Sequence, residues 1–337
     1  MVSSHPHLLA ALVALTTLLT PRPALAVEPI DPSLCHCFLT DGTRPRYFSH
    51  HKFFDFRNIA NPGIPAPIDD RTGATNAPLT NAYFSSANFS NTWSVQAWAG
   101  GSSDATVWNT YSKNDVYIAR NSDANPSSNT YLTLRTYRHG TGDFQSSAEI
   151  ESVSSSYQYV SMRMYARTRG ASGAVTAMFT YRGGATEADV QEADLEILTQ
   201  EASNQVHYTN QPSQVGGVAR PDATKQVTIP GSWSDWQVHR YDWTPGSSDW
   251  YVDGTSVASI QYQAPVDPTT LLFNVWSDGG SWSGVMATGQ SAEMQIQWIE
   301  LIYNNTAEPS QFAHCANVCT VDVGTQPGVP VLLYSGP

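Results

Sequence analysis

The chain is short of charge. Asp, Glu, Lys and Arg make up 14% of its 337 residues, where about a quarter is usual. Cations are the scarcer kind: 17 Lys and Arg stand against 29 Asp and Glu. So acidic a balance makes nucleic acid and anionic membranes poor partners. Long apolar runs are missing too. The run at residues 8–19 is too short to span a bilayer. It is followed by Ala24-Leu25-Ala26, a small-x-small cleavage signature, so residues 1–26 read as a secretory signal peptide. No helical period of useful length and no internal repeat follows, which excludes bundles and solenoids.

Cysteines number four: Cys35, Cys37, Cys315 and Cys319. A secreted chain favours disulfides. Cys35 and Cys37 are too close in sequence to bond each other without strain, so each is expected to pair with one of the other two, in either order. Residues 27–50 and 307–337 then become arms stapled together. A metal site using His36 and His314 is the alternative reading. Asn88-Phe-Ser and Asn304-Asn-Thr are sequons, so Asn88 and Asn304 are candidate glycosylation sites.

What the chain has is aromatics, including 10 Trp and 16 Tyr. Few charges and many rings suit a protein that handles a neutral polymer, since sugar rings stack on aromatic faces. Short alternating runs recur between Gly, Ser, Asn and Pro, among them YLTLRTYR (131–138), AVTAMFTY (174–181), LLFNVW (271–276) and MQIQWIELIY (294–303). Asp253-Gly254 lies between two such runs, a hairpin signal. Residues 60–75 read as a loop. At least ten strands without repeats predict one β-sandwich over residues 51–306 rather than two domains.

One strand-like run, QEADLEIL (191–198), places Glu192, Asp194 and Glu196 at strict alternation. On a strand this puts three carboxylates on one face and Ala193, Leu195 and Ile197 on the other. Folding gives no reason to line up like charges, which raise each other's pKa. Two carboxyls about 5 Å apart are what a retaining glycosidase needs. Glu192 and Glu196, roughly 13 Å apart at Cα, can lean to that distance. Asp194 between them can hydrogen-bond to one and hold the other's proton on. A calcium site is a second reading of the triplet. Glu149 and Glu151 alternate as well, with no third acid, and read as structural or rim residues.

The triplet Glu192-Ala-Asp194-Leu-Glu196 resembles the active-site motif of glycoside hydrolase family 16, and further segments resemble the family in order: AEIESVSSSYQYVSMRMYAR, AVTAMFTY, VHYTNQP, WQVHRYDWTPGSSDWYVDGTSV and LLFNVWSDGGSWSG. The likeness runs from about residue 145 to 303, and more weakly back to 51–58. It is to a secreted, fungal-like member. The resemblance implies an all-β, concanavalin-like jelly roll of two curved antiparallel sheets with an open polysaccharide cleft. It implies Glu192 as nucleophile, Asp194 as helper and Glu196 as acid/base. It also implies Arg163, His207, Tyr208, Asn274, Trp276 and Trp282 as cleft residues. Trp243, Trp250 and Asp253 are assigned to core and turn. Departures from the family pattern are Val190 and Gln191 before the motif, Ala193 within it and Ser161 before the arginine. The expected activity is retaining hydrolysis of an internal linkage in β-1,3 or mixed β-1,3/1,4 glucan, by a secreted monomer that needs no cofactor and no metal. A transglycosylase would use the same acids. A β-glucan lectin on the same fold would keep the cleft without needing all three.

Overall fold

A computed structural model describes residues 28–335, apart from 142, 310, 311, 313 and 314. The signal-peptide segment and His314 therefore lie outside the described residues. Helix is confined there to short turns such as Arg71–Thr75 and Ala87–Ser90, the first of them inside the stretch expected to be loop.

Two antiparallel layers face each other. The inner layer runs, edge inward, Thr224–Thr228, Gln205–Gln211, Gln191–Leu198, Val175–Arg182, Thr270–Trp276 and Phe144–Ser152. The outer layer holds Thr130–Arg138, the long strand Ser291–Asn305, Tyr157–Gly170, Gln237–Thr244, Ser247–Val252 and Thr255–Ile260. Strand Phe144–Ser152 passes from one layer to the other: Gln145 and Ser146 pair with the outer layer, and Ala148 to Glu151 with the inner one.

Period-two alternation drives the assembly. Ala193, Leu195 and Ile197 turn into the core, where they join Met178, Val206, Phe273 and Val275 of the inner layer. Val160, Met162, Met164, Trp243 and Trp250 close the core from the outer layer. The hairpin expected at Asp253-Gly254 is there, with both residues in the left-handed region (φ 47° and 77°) that a tight two-residue turn requires.

The arms are more than stapled ends. Cys37–Leu39, Tyr47–Phe48, Asn317–Thr320 and Val331–Ser335 form a separate four-stranded sheet, in which Cys37 pairs in parallel with Val318. The disulfides are Cys35–Cys319 and Cys37–Cys315. Asp322, just after the third of these strands, reaches the outer layer: its Oδ1 lies 2.6 Å from Arg163 and 3.2 Å from Arg240. Asn88 is exposed; Asn304 is half-buried in a strand, and its Oδ1 accepts the Ser49 N–H (2.9 Å).

Asp322 is 3% exposed at its side chain, as is expected of a clamp. Replacing it with Ala strips Arg163 of its carboxylate partner, and breaking a buried pair costs about 3 kcal/mol. The thermal midpoint of Asp322→Ala should fall by roughly 6 °C in calorimetry, with the far-UV circular-dichroism spectrum retained below the transition.

Candidate active site

The acid strand Gln191–Leu198 lies between two neighbours whose register sets what each carboxylate faces. Glu192 stands opposite Gln211 and Tyr181, Asp194 opposite Thr209 and Phe179, and Glu196 opposite His207 and Ala177. The rows continue through the next strands. Ala177 meets Asn274, which meets Glu149; Phe179 meets Leu272, which meets Glu151. Directly paired residues share a face, so five acids stand on the open side of the inner layer.

Three of them form one tight group. Asp194 is 3% exposed and accepts Gln211 Nε2–H at Oδ2 (3.1 Å). It is also hydrogen-bonded to Glu192. Glu196 Oε1 accepts the Trp282 indole N–H (3.2 Å). Burial raises all three pKa values. Glu192 is pushed to about 7 by burial, with Glu196's charge adding to the rise, and Glu196 to about 7 by burial, against the pull of the Trp282 N–H. Asp194 is held well above its ordinary value by burial and by the charges on either side.

A cleft of about 520 Å³ opens over the group, with Glu192, Glu196, Thr209, Gln211, Trp276 and Trp282 among its lining residues. Its wall at the Glu192 end is made of Glu187 and Gln214. Glu187 Oε2 accepts the Gly216 N–H (3.0 Å), tying that loop to the hairpin of Gln214–Val215 with Val218–Ala219.

Of the expected cleft residues, Asn274, Trp276 and Trp282 are on this face. His207 is too, though only 7% exposed. Its Nε2 pairs with Glu201 (2.9 Å), and its ring meets Trp282 edge-on at 4.9 Å. Two expectations are corrected. Tyr208 points the other way, into the core, fully buried with its ring 5.3 Å from that of Trp250; one step along a strand reverses the face. Arg163 is on the outer layer, between Arg240 and Glu300 and paired with Asp322, with the core between it and the cleft.

Sequence reasoning missed a second acid–aromatic cluster. Glu149 is 5% exposed. It accepts the Trp98 indole N–H (3.0 Å), and Asn274 Nδ2 lies 3.4 Å away. Burial pushes its pKa to about 7. Trp98 is 43% exposed and stacks on Tyr111 at 4.2 Å and 16°. The alternation of Glu149 and Glu151 was visible, but only cross-strand pairing shows that they share the face of the triplet. Among the described residues no group of three His, Cys, Asp or Glu side chains could hold a metal ion, and no helix is long and apolar enough to cross a membrane.

A jelly-roll sandwich with a row of carboxyls of raised pKa under an aromatic-lined cleft defines the class of molecule. Residues 103–300 match Glycosyl hydrolases family 16, and the chain belongs to that family. It is 26% identical over 230 residues to a Beta-glucanase of Acetivibrio thermocellus, a match covering 66% of this chain and 62% of that one. It is 26% identical over 136 residues to a Beta-glucanase of Paenibacillus polymyxa, covering 39% and 54%. The chain thus spans less than two thirds of the length of these relatives. In fold it is similar to a solved prokaryotic beta-1,3-1,4-glucanase (lichenase) from a mouse hindgut metagenome. The TM-score is 0.52 at 16% identity, covering 76% of this chain and 99% of that one.

Raised carboxyl pKa values make the site a source of instability. Each of these groups binds its proton more tightly folded than unfolded, where a Glu titrates near 4.3. Their contribution to stability is therefore full below that value and is lost as pH rises towards about 7. Glu196→Gln removes one charge from the row. Its thermal midpoint should match wild type near pH 4 and exceed it at pH 8, by on the order of 2 kcal/mol in stability. Paired melts across this pH range check it; equal gaps at both pH values would refute it.

Proposed function

We propose that this protein is a retaining endo-β-glucanase that cleaves β-1,3 or mixed β-1,3/1,4 glucan. The observation that carries the reading is the row of half-buried Glu192, buried Asp194 and half-buried Glu196 beneath a cleft bordered by Trp276 and Trp282. Family membership supports it, as do relatives named Beta-glucanase.

In this reading Glu192 attacks the anomeric carbon and Glu196 protonates the departing glycosidic oxygen. A pKa near 7 suits Glu196 to the acid role. Once the leaving chain departs, Glu196 takes a proton from water, and the resulting hydroxide releases the sugar from Glu192 with net retention. Glu192 has to be ionised to attack. A hydrogen bond from Asp194 lowers its pKa and so favours that state. No cofactor enters this chemistry. Residues 51–306 would form the catalytic domain and the flanking arms a disulfide-bonded brace on a secreted chain.

The polymer would lie across the strands. On one side of the acids the floor carries Tyr181, Trp276, Asn274 and, three strands away, Glu149 beneath Trp98. Three strand spacings are ~14 Å, about the length of three sugars. With one face packed on Tyr111 and its N–H fixed, Trp98 is a rigid platform for a distant ring of the chain.

Product analysis on laminarin, mixed-linkage glucan, xyloglucan, galactan and chitin tests the reading. Wild type should release oligosaccharides from laminarin or mixed-linkage glucan, and Glu192→Gln should lose activity at least ~1,000-fold. Products longer than the starting oligomers would indicate transfer to sugar instead of water. No product from any polymer, with binding equal in both proteins, would leave a lectin. Trp98→Ala should lower kcat/KM roughly tenfold on polymer and long oligomers and leave the shortest cleaved oligomer unchanged; equal losses on all lengths would refute the platform.

A further inference from the structure

Gln211 ends strand Gln205–Gln211 directly opposite Glu192. Its side-chain amide is held at both ends. Oε1 accepts the Ser213 N–H at 2.7 Å, and Nε2 lies 3.1 Å from Asp194 Oδ2. The Ser213 contact settles which way round the amide sits, because an NH2 turned towards a backbone N–H would set donor against donor. Gln211 therefore presents a donor, and only a donor, to the middle carboxyl of the row.

That has a consequence for the proton. An oxygen that accepts from an amide N–H cannot also point its own hydrogen along the same line. Oδ2 of Asp194 is thus the acceptor oxygen. The Gln211 donor thereby favours a proton of Asp194 on Oδ1, the oxygen it leaves free to serve the hydrogen bond with Glu192.

We propose that Gln211 is a positioning residue that fixes the proton of Asp194 on the oxygen used to donate to Glu192, and so keeps Glu192 ionised. The proposal rests on the catalytic reading of the acid row and deepens it. Asp194 is surrounded by groups that would otherwise let this proton wander. Glu192 and Glu196 flank it on its own strand. His207, held by Glu201, faces Glu196 from the next strand. Tyr181 faces Glu192 from the strand on the other side. Tyr241 lies within electrostatic range from the core side. Glu187 adds another carboxyl at the cleft wall. None of these supplies the directed donor that Gln211 supplies.

The test is the acid limb of the pH profile of kcat/KM, which follows the ionisation of Glu192. Without the Gln211 donor, the Asp194 proton can rotate to Oδ2 and leave Glu192 without its hydrogen bond. Glu192 then holds its own proton to higher pH. For Gln211→Leu the acid limb should move up by about 0.5 to 1 pH unit, the worth of one hydrogen bond. Gln211→Glu keeps an acceptor for Ser213 and turns a carboxylate on Asp194, drawing the proton away from Glu192, so its limb should move further in the same direction. Because it retains the Ser213 bond, this second variant also serves if the first does not fold. A limb that stays in place in the folded variants, whatever happens to kcat or to the thermal midpoint, overturns the proposal. Carbon-13 NMR titration of the Glu192 carboxyl in wild type and both variants reads the same shift without turnover. If the wild type cleaves no polymer, the functional reading fails, and the titration still decides whether Gln211 governs the proton.

Discussion

Repulsion among Glu192, Asp194 and Glu196 is the constraint to which the rest of the fold answers. A strand cannot hold three carboxyls on one face, each buried enough to be pushed up in pKa, unless its other face is gripped firmly. That grip comes from Ala193, Leu195 and Ile197, all buried in a core closed by Met162, Met164, Trp243 and Trp250. Burial on the order of 1.5–3 kcal/mol per large apolar side chain outweighs the cost of the charges facing the other way. The neutral donors along the row limit that cost further: Gln211 serves Asp194 and Trp282 serves Glu196. Neither brings a positive charge, so the carboxyls keep the raised pKa values that a salt bridge would abolish.

A cluster of paired positive charge stands on the other side of the molecule. Arg163 and Arg240 stand side by side on the outer layer, and Asp322 from the C-terminal arm bridges them. Arg240 is also paired with Asp242 (2.6 Å) and Asp41 (2.6 Å). The arms thus neutralise two cations that would otherwise be left half-paired on a sheet face. The disulfides Cys35–Cys319 and Cys37–Cys315 hold the arm sheet in the place where Asp322 can do so. The two faces of the sandwich divide their electrostatics: like charges crowd beneath the cleft, and opposite charges cancel beneath the arms.

How much of this was legible in the sequence depended on how far apart the interacting residues lie. The acid row was readable because three residues two apart on one strand declare a face by themselves. The Asp253-Gly254 hairpin was readable for a similar reason, since its turn chemistry is local. Tyr208 was misplaced because it neighbours His207, and neighbours on a strand face opposite ways; Glu196 pairs with His207, which leaves Tyr208 to the core. Arg163 was misplaced because sequence shows alternation and not which layer a strand joins. Its partner Asp322 comes from an arm whose course no local pattern reveals. Glu149 was discounted for want of a third acid in its own run. Its companions come from elsewhere in the chain: Asn274 by strand pairing, Trp98 from a loop 51 residues earlier.

The same pairing explains why the cleft is lopsided. From the acid strand towards Thr224–Thr228, the open face presents Thr209, Thr224, His207 and Gln226, short polar groups on a layer that ends two strands away. Towards Phe144–Ser152 it presents Phe179, Tyr181, Trp276, Asn274 and Glu149, and the layer continues into the outer sheet. Rings bind sugar faces by burying area, whereas exposed hydroxyls and amides exchange one hydrogen bond with water for another at small net gain. In the glucanase reading, a polymer would therefore be held chiefly on the side with the longer run of rings, the polar side having Trp282 edge-on to His207. The asymmetry follows from layer topology: the edge strand has no further strand beyond it from which to borrow rings, and the strand that crosses between layers pairs with four, Thr270–Trp276, Thr130–Arg138, Trp93–Val95 and Trp108–Tyr111.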